Sequence, residues 1–282
     1  MGAKWALLLG KRPVVTVIQD LLPFAYGEGQ YDSAAKYFFK RRAIELAVKK
    51  SDRLIAAYPS TKQEIVERFG VSPDKVVVIP YGIDHSRFVP GPVRKNDPRR
   101  VLFLGEAIRG KGADTVLHAF QRLRKRLPNI ELKMGSRGAE LENLKRLSKE
   151  LGIDDRTEFL GRVPDDELPG LYRSADVFAF PSRHGFGLPT IEAMASGVPT
   201  VSGRIFDAID FVGDAGMLAD PSSPDEVADC LYALLSDDAK WQLYRERGLE
   251  RARQFSWDRM AKETLEVCEA AVQARAGRNG GA

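Results

Sequence analysis

Short apolar runs and stretches of helical periodicity take turns along the chain. From residue 101 onward, Val101–Gly105, Ile130–Met134, Thr157–Leu160, Val177–Phe180, Thr200–Ser202 and Gly216–Leu218 read as strands. Between them, Ala113–Leu127, Ala139–Leu151, Leu168–Ser174, Pro189–Ala195 and Pro224–Leu235 read as helices, the first of them stopped by Pro128. Continuous apolar strands separated by helices predict a parallel sheet covered on both faces. Such a doubly wound α/β domain binds ligands at the carboxyl ends of its strands. Residues 14–80 repeat this grammar in shorter form. Val14–Ile18, Arg53–Ala57 and Val76–Pro80 read as strands, with helices at Ala34–Lys49 and Thr61–Phe69. Three strands and two helices fall short of a self-sufficient nucleotide-type domain of about 100–150 residues, so the first domain is expected to be incomplete.

The stretch PVRKNDPRR (92–100) is rich in proline and charge and poor in apolar residues, which marks a linker. The expected division is therefore a shortened first domain with hinge at 1–96 and a complete second domain at 97–255. FSWDRMAKETLEVCEAAV (255–272) reads as a closing helix, with Ser256 as N-cap and Asp258 in its first turn. Phe255 and Trp257 are expected to anchor it. The tail 273–282 reads as disordered.

Composition narrows the class. With 282 residues, 44% hydrophobic and 29% charged, the chain has the make-up of a folded two-domain protein. Forty-three Lys+Arg against 39 Asp+Glu leave a formal charge of only +4, too small an excess for a nucleic-acid binder. The charge is uneven: residues 1–95 hold 16 basic and 9 acidic side chains. Two cysteines, Cys230 and Cys268, make no disulfide framework and point to a reducing compartment. No apolar run approaches the roughly 18 residues of a membrane span. The opening MGAKWALLLGKRP is too short in its apolar part for a signal-peptide core and reads as a helix end leading into a strand. A soluble, cytoplasmic protein is expected.

PSRHGFGLPTIEAMASGVPTV (181–201) carries the strongest local signal: a strand end, a turn with Gly185 and Gly187, then Pro189 where a helix would begin. Glycines let backbone approach a ligand, and a helix N-terminus offers amide donors and a positive dipole end, a setting suited to a diphosphate. Glu192, read as first-turn, can accept hydrogen bonds from a vicinal diol such as ribose. Alternatively it complements the helix dipole and the glycines only make a tight turn. GEAIRGKGADTVLHAF (105–120) is a second strand–turn–helix unit, with Lys111 between Gly110 and Gly112 where a cation can meet a phosphate. MGSRG (134–138) is a weaker third.

Together these segments resemble a known family. FLGEAIRGKGADTVLHAF, LGRVPDDELPGLYRSADVFAFPS, GFGLPTIEAMASGVPTV and FVGDAGMLADPSSPDEVADCL are similar to the nucleotide-sugar half of GT-B glycosyltransferases, nearest to the retaining group called family 4. VVTVIQDLLPF, IAAYPSTKQEIVERFG and VVVIPYGIDHSRFVP resemble the end of that family's first domain and its hinge. FSW and the last helix resemble the segment that crosses back to the first domain.

The resemblance implies two Rossmann-like doubly wound domains, the first incomplete, and sugar transfer with retention from a nucleoside-diphosphate donor such as UDP- or GDP-hexose. The acceptor hydroxyl would belong to a glycan, lipid or small molecule, with no cofactor and no metal. It places Lys111 on the donor diphosphate beside Gly105, with Glu192 on the ribose. Backbone around Arg162 and Val163 falls near the base. The turn Gly185, Phe186, Gly187 and Leu188 faces the diphosphate and sugar. Gln19, Asp20 and His184 fall at the catalytic positions.

Three positions depart from the pattern. His184 stands where the family has a Glu, Glu106 where it has an Arg, and Gln19 where it has a His. Arg109 is the candidate to replace the missing cation. These departures and the short front leave two alternatives open: a nucleotide-sugar-binding scaffold, or one subunit of a split enzyme completed by another chain or a second copy. His85 and His118 read as surface or helix-face residues. KYFFKRRAIELAVKK (36–50) sets six cations against one acid with aromatics between. It reads as a solvated helix face, or as a peripheral contact with an anionic membrane at its inner face.

Overall fold

Short runs rich in β-branched and aromatic residues form parallel strands, and the helices between them cover the sheet faces. The computed structural model describes residues 12–25, 33–93, 96–183 and 187–279. The chain forms two compact units, Met1–Gly82 with Ser256–Ala282, and Ile83–Phe255.

The first unit runs β1 (Val15–Ile18), α1 (Leu22–Ala25), α2 (Ala34–Lys50), β2 (Arg53–Ala56), α3 (Pro59–Phe69) and β3 (Val76–Val78). The strands pair in parallel in the order β1-β2-β3. Ser33 caps α2 by accepting the Lys36 amide, and Gly70 ends α3 in the left-handed conformation at φ 62°. The second unit runs β4 (Arg99–Leu104), α4 (Ala113–Arg126), β5 (Ile130–Gly135), α5 (Leu141–Glu150), β6 (Thr157–Gly161), α6 (Leu168–Arg173) and β7 (Val177–Phe180). It continues with α7 (Leu188–Ala195), β8 (Thr200–Gly203), α8 (Phe206–Val212), β9 (Met217–Ala219), α9 (Pro224–Ser236) and α10 (Asp238–Ala252). The closing helix α11 (Trp257–Asn279) belongs to the first unit.

In the three-stranded sheet, alternation sends Leu54 and Ala56 into a cluster with Ile18, Val48, Ile65 and Val76. Ile55, between them in sequence, packs instead with Ile79, Val267 and Met260, so α11 covers that opposite group. The second sheet is parallel throughout, in the order β6-β5-β4-β7-β8-β9. Its centre is dry: Val101, Leu102, Phe103, Leu132, Val177 and Phe178 are fully buried. Winding reverses between β4 and β7, and a switch point of this kind opens a crevice at the strands' carboxyl ends.

Several expectations change. The division falls at Gly82 rather than at 96, because residues 83–93 and 96 pack on the second unit. Phe88 meets Tyr172 edge-on at 5.8 Å, and Arg245 donates to the Gly91 carbonyl at 3.2 Å. The tail expected to be disordered is helical through Asn279. Arg275 holds it by donating to the Arg12 carbonyl at 2.6 Å and to Asp52 at 3.1 Å. Trp257 does not anchor by its ring, which is largely exposed; its backbone does, packing so closely on Gly82 that a Cβ there would stand 2.1 Å from the Trp257 nitrogen. Phe255 is buried in the second unit. Helices α8 and α10 were not anticipated. The opening helix end lies outside the described residues.

The supposed linker is tied down by one carboxylate. Asp176 is fully buried just before β7. Its Oδ2 accepts the Arg100 amide at 2.7 Å and the Asn96 side-chain amide at 2.8 Å. Its Oδ1 accepts the Asn96 backbone amide at 3.0 Å and the Arg99 guanidinium at 3.3 Å. Its carbonyl accepts the Trp241 indole at 2.7 Å, which brings α10 into the same knot. Removing such a buried anion strands its donors, so Asp176→Ala is expected to cost about 3–5 kcal/mol in urea unfolding. Arg99→Ala, removing only the partly exposed partner, should cost about 1 kcal/mol.

Candidate functional site

The switch point brings the two strongest sequence motifs together. The loop after β4 (105–112) and the start of the loop after β7 (181–183) are hydrogen-bonded: Arg183 donates its amide to the Gly110 carbonyl at 2.8 Å. Gly112, the α4 N-cap at φ 84°, presses against the Pro181 carbonyl, and a Cβ there would lie 2.2 Å from that oxygen. Only glycine satisfies both the backbone angle and the contact. Ser136 joins the loop after β5 by donating to the Gly105 carbonyl at 2.7 Å. Lys111 stands half-buried between these glycines.

Gly187 caps α7, yet its lack of a side chain answers packing: a Cβ would fall 2.0 Å from the Phe211 ring of α8. Thr190 and Ile191 both donate their amides to the Gly187 carbonyl, at 2.9 and 3.2 Å, and Pro189 has no amide. The N-terminal donors not engaged inside the helix are therefore the amides of Gly187 and Leu188.

Glu192 lies in the second turn of α7, not the first, because the helix starts at Leu188 and its first turn holds no acid. Dipole complementation, which decays within a turn, therefore does not explain it. Tyr172 of α6, itself fully buried, donates its hydroxyl to Glu192 Oε2 at 2.8 Å. No described residue donates to Oε1. Burial raises the Glu192 pKa above the usual carboxylate value, opposed by the Tyr172 hydrogen bond and by the nearby Arg87 charge, while Asp165 adds to the rise. The same burial, with the Glu192 charge, drives the Tyr172 phenol well above its ordinary value. A partly buried carboxylate with one oxygen engaged can accept hydroxyl donors at the other.

In the first unit, Gln19 and Asp20 follow the carboxyl end of β1. Nearby Tyr81 has its pKa raised by burial first, eased by the Gln19 side chain and raised again by the Asp20 charge.

Residues 86–254 match the family model for glycosyl transferases group 1, and residues 1–87 match that for glycosyltransferase family 4. This chain belongs to the group 1 glycosyl transferases. It is 34% identical over 261 residues to D-inositol 3-phosphate glycosyltransferase of Salinispora tropica, covering 83% of this chain and 54% of that protein. It is 31% identical over 255 residues to mannosylfructose-phosphate synthase of Agrobacterium fabrum, covering 82% and 56%. The chain thus spans about half the length of these relatives. Among solved structures, HepE of Anabaena in complex with UDP-glucose superposes with a TM-score of 0.80 at 20% identity, covering 95% of this chain and 75% of that one. Sucrose-phosphate synthase of Thermosynechococcus elongatus gives 0.77 at 23%, covering 92% and 68%. The fold is GT-B.

Within this group 1 glycosyl transferase, Gly105, Lys111, Gly187 and Leu188 all sit on the carboxyl side of the second sheet, with Glu192 one turn further along α7. Arg162 and Val163 follow β6 on the same side, Val163 packing where a Gly135 side chain would begin. Arg109 is drawn aside: 91% exposed, it lies 3.6 Å from Glu140. Glu106 is exposed. His184, Gly185 and Phe186 lie outside the described residues. Sequence reasoning missed Tyr172, Arg87 and Tyr81, which stand inside the family-like segments but carry no local pattern that marks a partner.

A raised folded-state pKa means the folded protein holds the Glu192 proton more tightly than the unfolded chain. That stability is fully present below the unfolded pKa and is lost as pH rises through the folded one. Glu192→Gln removes the dependence. Its melting temperature relative to wild type should therefore rise between about pH 4 and about pH 7; an unchanged or falling difference would show that the carboxylate is not held as described.

Proposed function

We propose that this chain binds a nucleoside-diphosphate sugar at the carboxyl edge of its second sheet and transfers the sugar, with retention, to an acceptor hydroxyl. The observation that carries the reading is Glu192: a partly buried carboxylate, fixed through Oε2 by Tyr172 and placed one turn from the amides of Gly187 and Leu188. Ribose hydroxyls supply the donors that Oε1 lacks. Lys111 and the two amides stabilise the negative charge that gathers on the diphosphate as its bond to the sugar carbon breaks; the acceptor oxygen bonds to that carbon and its proton passes to the departing phosphate oxygen. Glycosyl transfer by the named relatives, and the UDP-glucose in the HepE structure, make UDP-sugars the first donors to try. Base contacts are assigned to backbone near Arg162 and Val163. Gln19, Asp20 and His184 are assigned to the acceptor and donor sugar.

A second reading is a donor-binding protein without transfer. It is favoured by the exposed Glu106 in the diphosphate loop and by Gln19, which cannot exchange a proton near neutral pH.

Thermal-shift titration with UDP, GDP, uridine and guanosine tests the site. The cognate diphosphate should raise the melting temperature by about 5 °C at roughly 100-fold excess over Kd. Lys111→Ala should weaken the diphosphate by roughly 10- to 100-fold and leave the nucleoside unchanged, whereas Glu192→Ala should weaken both. Release of free sugar from the donor separates the two readings. No shift with any diphosphate overturns both.

A further inference from the structure

We propose that the outward stripe of α11 is a contact between two copies of this chain, the helix pairing antiparallel with its own counterpart. The contact is separate from the donor site and does not rest on the transferase reading.

α11 packs inward through Met260, Val267 and Ala271. At about 100° per residue, Ala261, Leu265, Cys268 and Val272 fall within about 60° of one another, turned well away from that inward side. Their alternating steps of four and three residues are those of a coiled-coil seam. Leu265 is 59% exposed and Val272 54%, Ala261 is exposed and Cys268 partly so. Trp257 and Ala276, both exposed, stand at the margins of the stripe. Arg275 is also at the margin but is drawn inward to Asp52.

A second copy is the fitting occupant because the stripe is complementary to itself. A twofold axis between Glu266 and Val267 sets Leu265 opposite Cys268, Val272 opposite Ala261 and Trp257 opposite Ala276, so each larger side chain meets a smaller one. Charge agrees with that register. The axis brings the same flank of both helices together, and Lys262 then lies within about 3 Å, measured along the helix, of Glu269 on the second copy, twice over. Both are exposed, and among the described residues neither has an ionic partner in its own chain. A parallel pair would instead set this flank against the uncharged one, Thr264 and Ala271. A single helix pair is at the small end of interface sizes, so association is expected from about 10 µM upward.

Sedimentation equilibrium of the intact chain tests the proposal and should show a dimer in that range. Leu265→Glu with Val272→Glu should abolish it and leave the melting temperature of the dilute chain unchanged, since both side chains are exposed. Lys262→Glu sets like charges opposite each other twice and should weaken the dimer by roughly 10-fold. Adding Glu269→Lys should restore it, which a general loss of folding would not allow. A short bismaleimide should join two copies through Cys268, whose two sulfurs stand about 4.5 Å apart along the helix. A chain still monomeric at about 200 µM overturns the proposal. So does a dimer indifferent to the Leu265 and Val272 pair, or one that the charge exchange fails to restore.

Discussion

The arrangement of the second unit depends on a charge that water never reaches. Asp176 sits fully buried at the foot of β7, and an isolated carboxylate there would be prohibitively unstable. It persists because four donors converge on it from the strand entering β4 and the turn just before. Those bonds fix more than a loop. They set β4 beside β7 with Val101 opposite Val177, so the two strands end level and their following loops meet. The bond from Arg183 to Gly110, and the fit of Gly112 on Pro181, are downstream consequences of that register.

A second, partly buried carboxylate behaves differently. Asp176 has both oxygens engaged, whereas Glu192 has one, and burial lifts its pKa where Arg87 and Tyr172 only partly compensate. Fully satisfied polar groups rigidify a fold; partly satisfied ones lower its stability and are retained where a ligand completes them. The contrast within one domain separates an acid fully engaged by the fold from one left with an oxygen that no described residue engages.

Much of this was legible in the residues. Continuous apolar strands announced a parallel sheet, and the glycine turns announced the switch-point loops, because both are local consequences of burial and backbone geometry. What escaped was tertiary. Residues 92–100 look like a linker until Asn96 and Arg100 are seen on Asp176. Helix α10 is polar around most of its surface and contains Gly248, so its periodicity is faint; the glycine is there because Met194 packs against it. Glu192 was placed one turn early by starting α7 at its proline instead of at Leu188. Its partner, twenty positions upstream in a short helix, leaves no trace in spacing.

Consecutive arginines in α2 show how far one step around a helix can divide labour. Arg41 turns in, lies over Phe24 and bonds Tyr37, and so belongs to the packing of the first unit. Arg42 turns out, beside Phe38 and over Glu45. Composition counts the two alike, and a total of six cations against one acid therefore says little about what the helix touches. The neighbouring aromatics divide in the same way: Tyr37 is buried, while Phe38 stands exposed with its ring edge-on to Tyr37 at 5.2 Å.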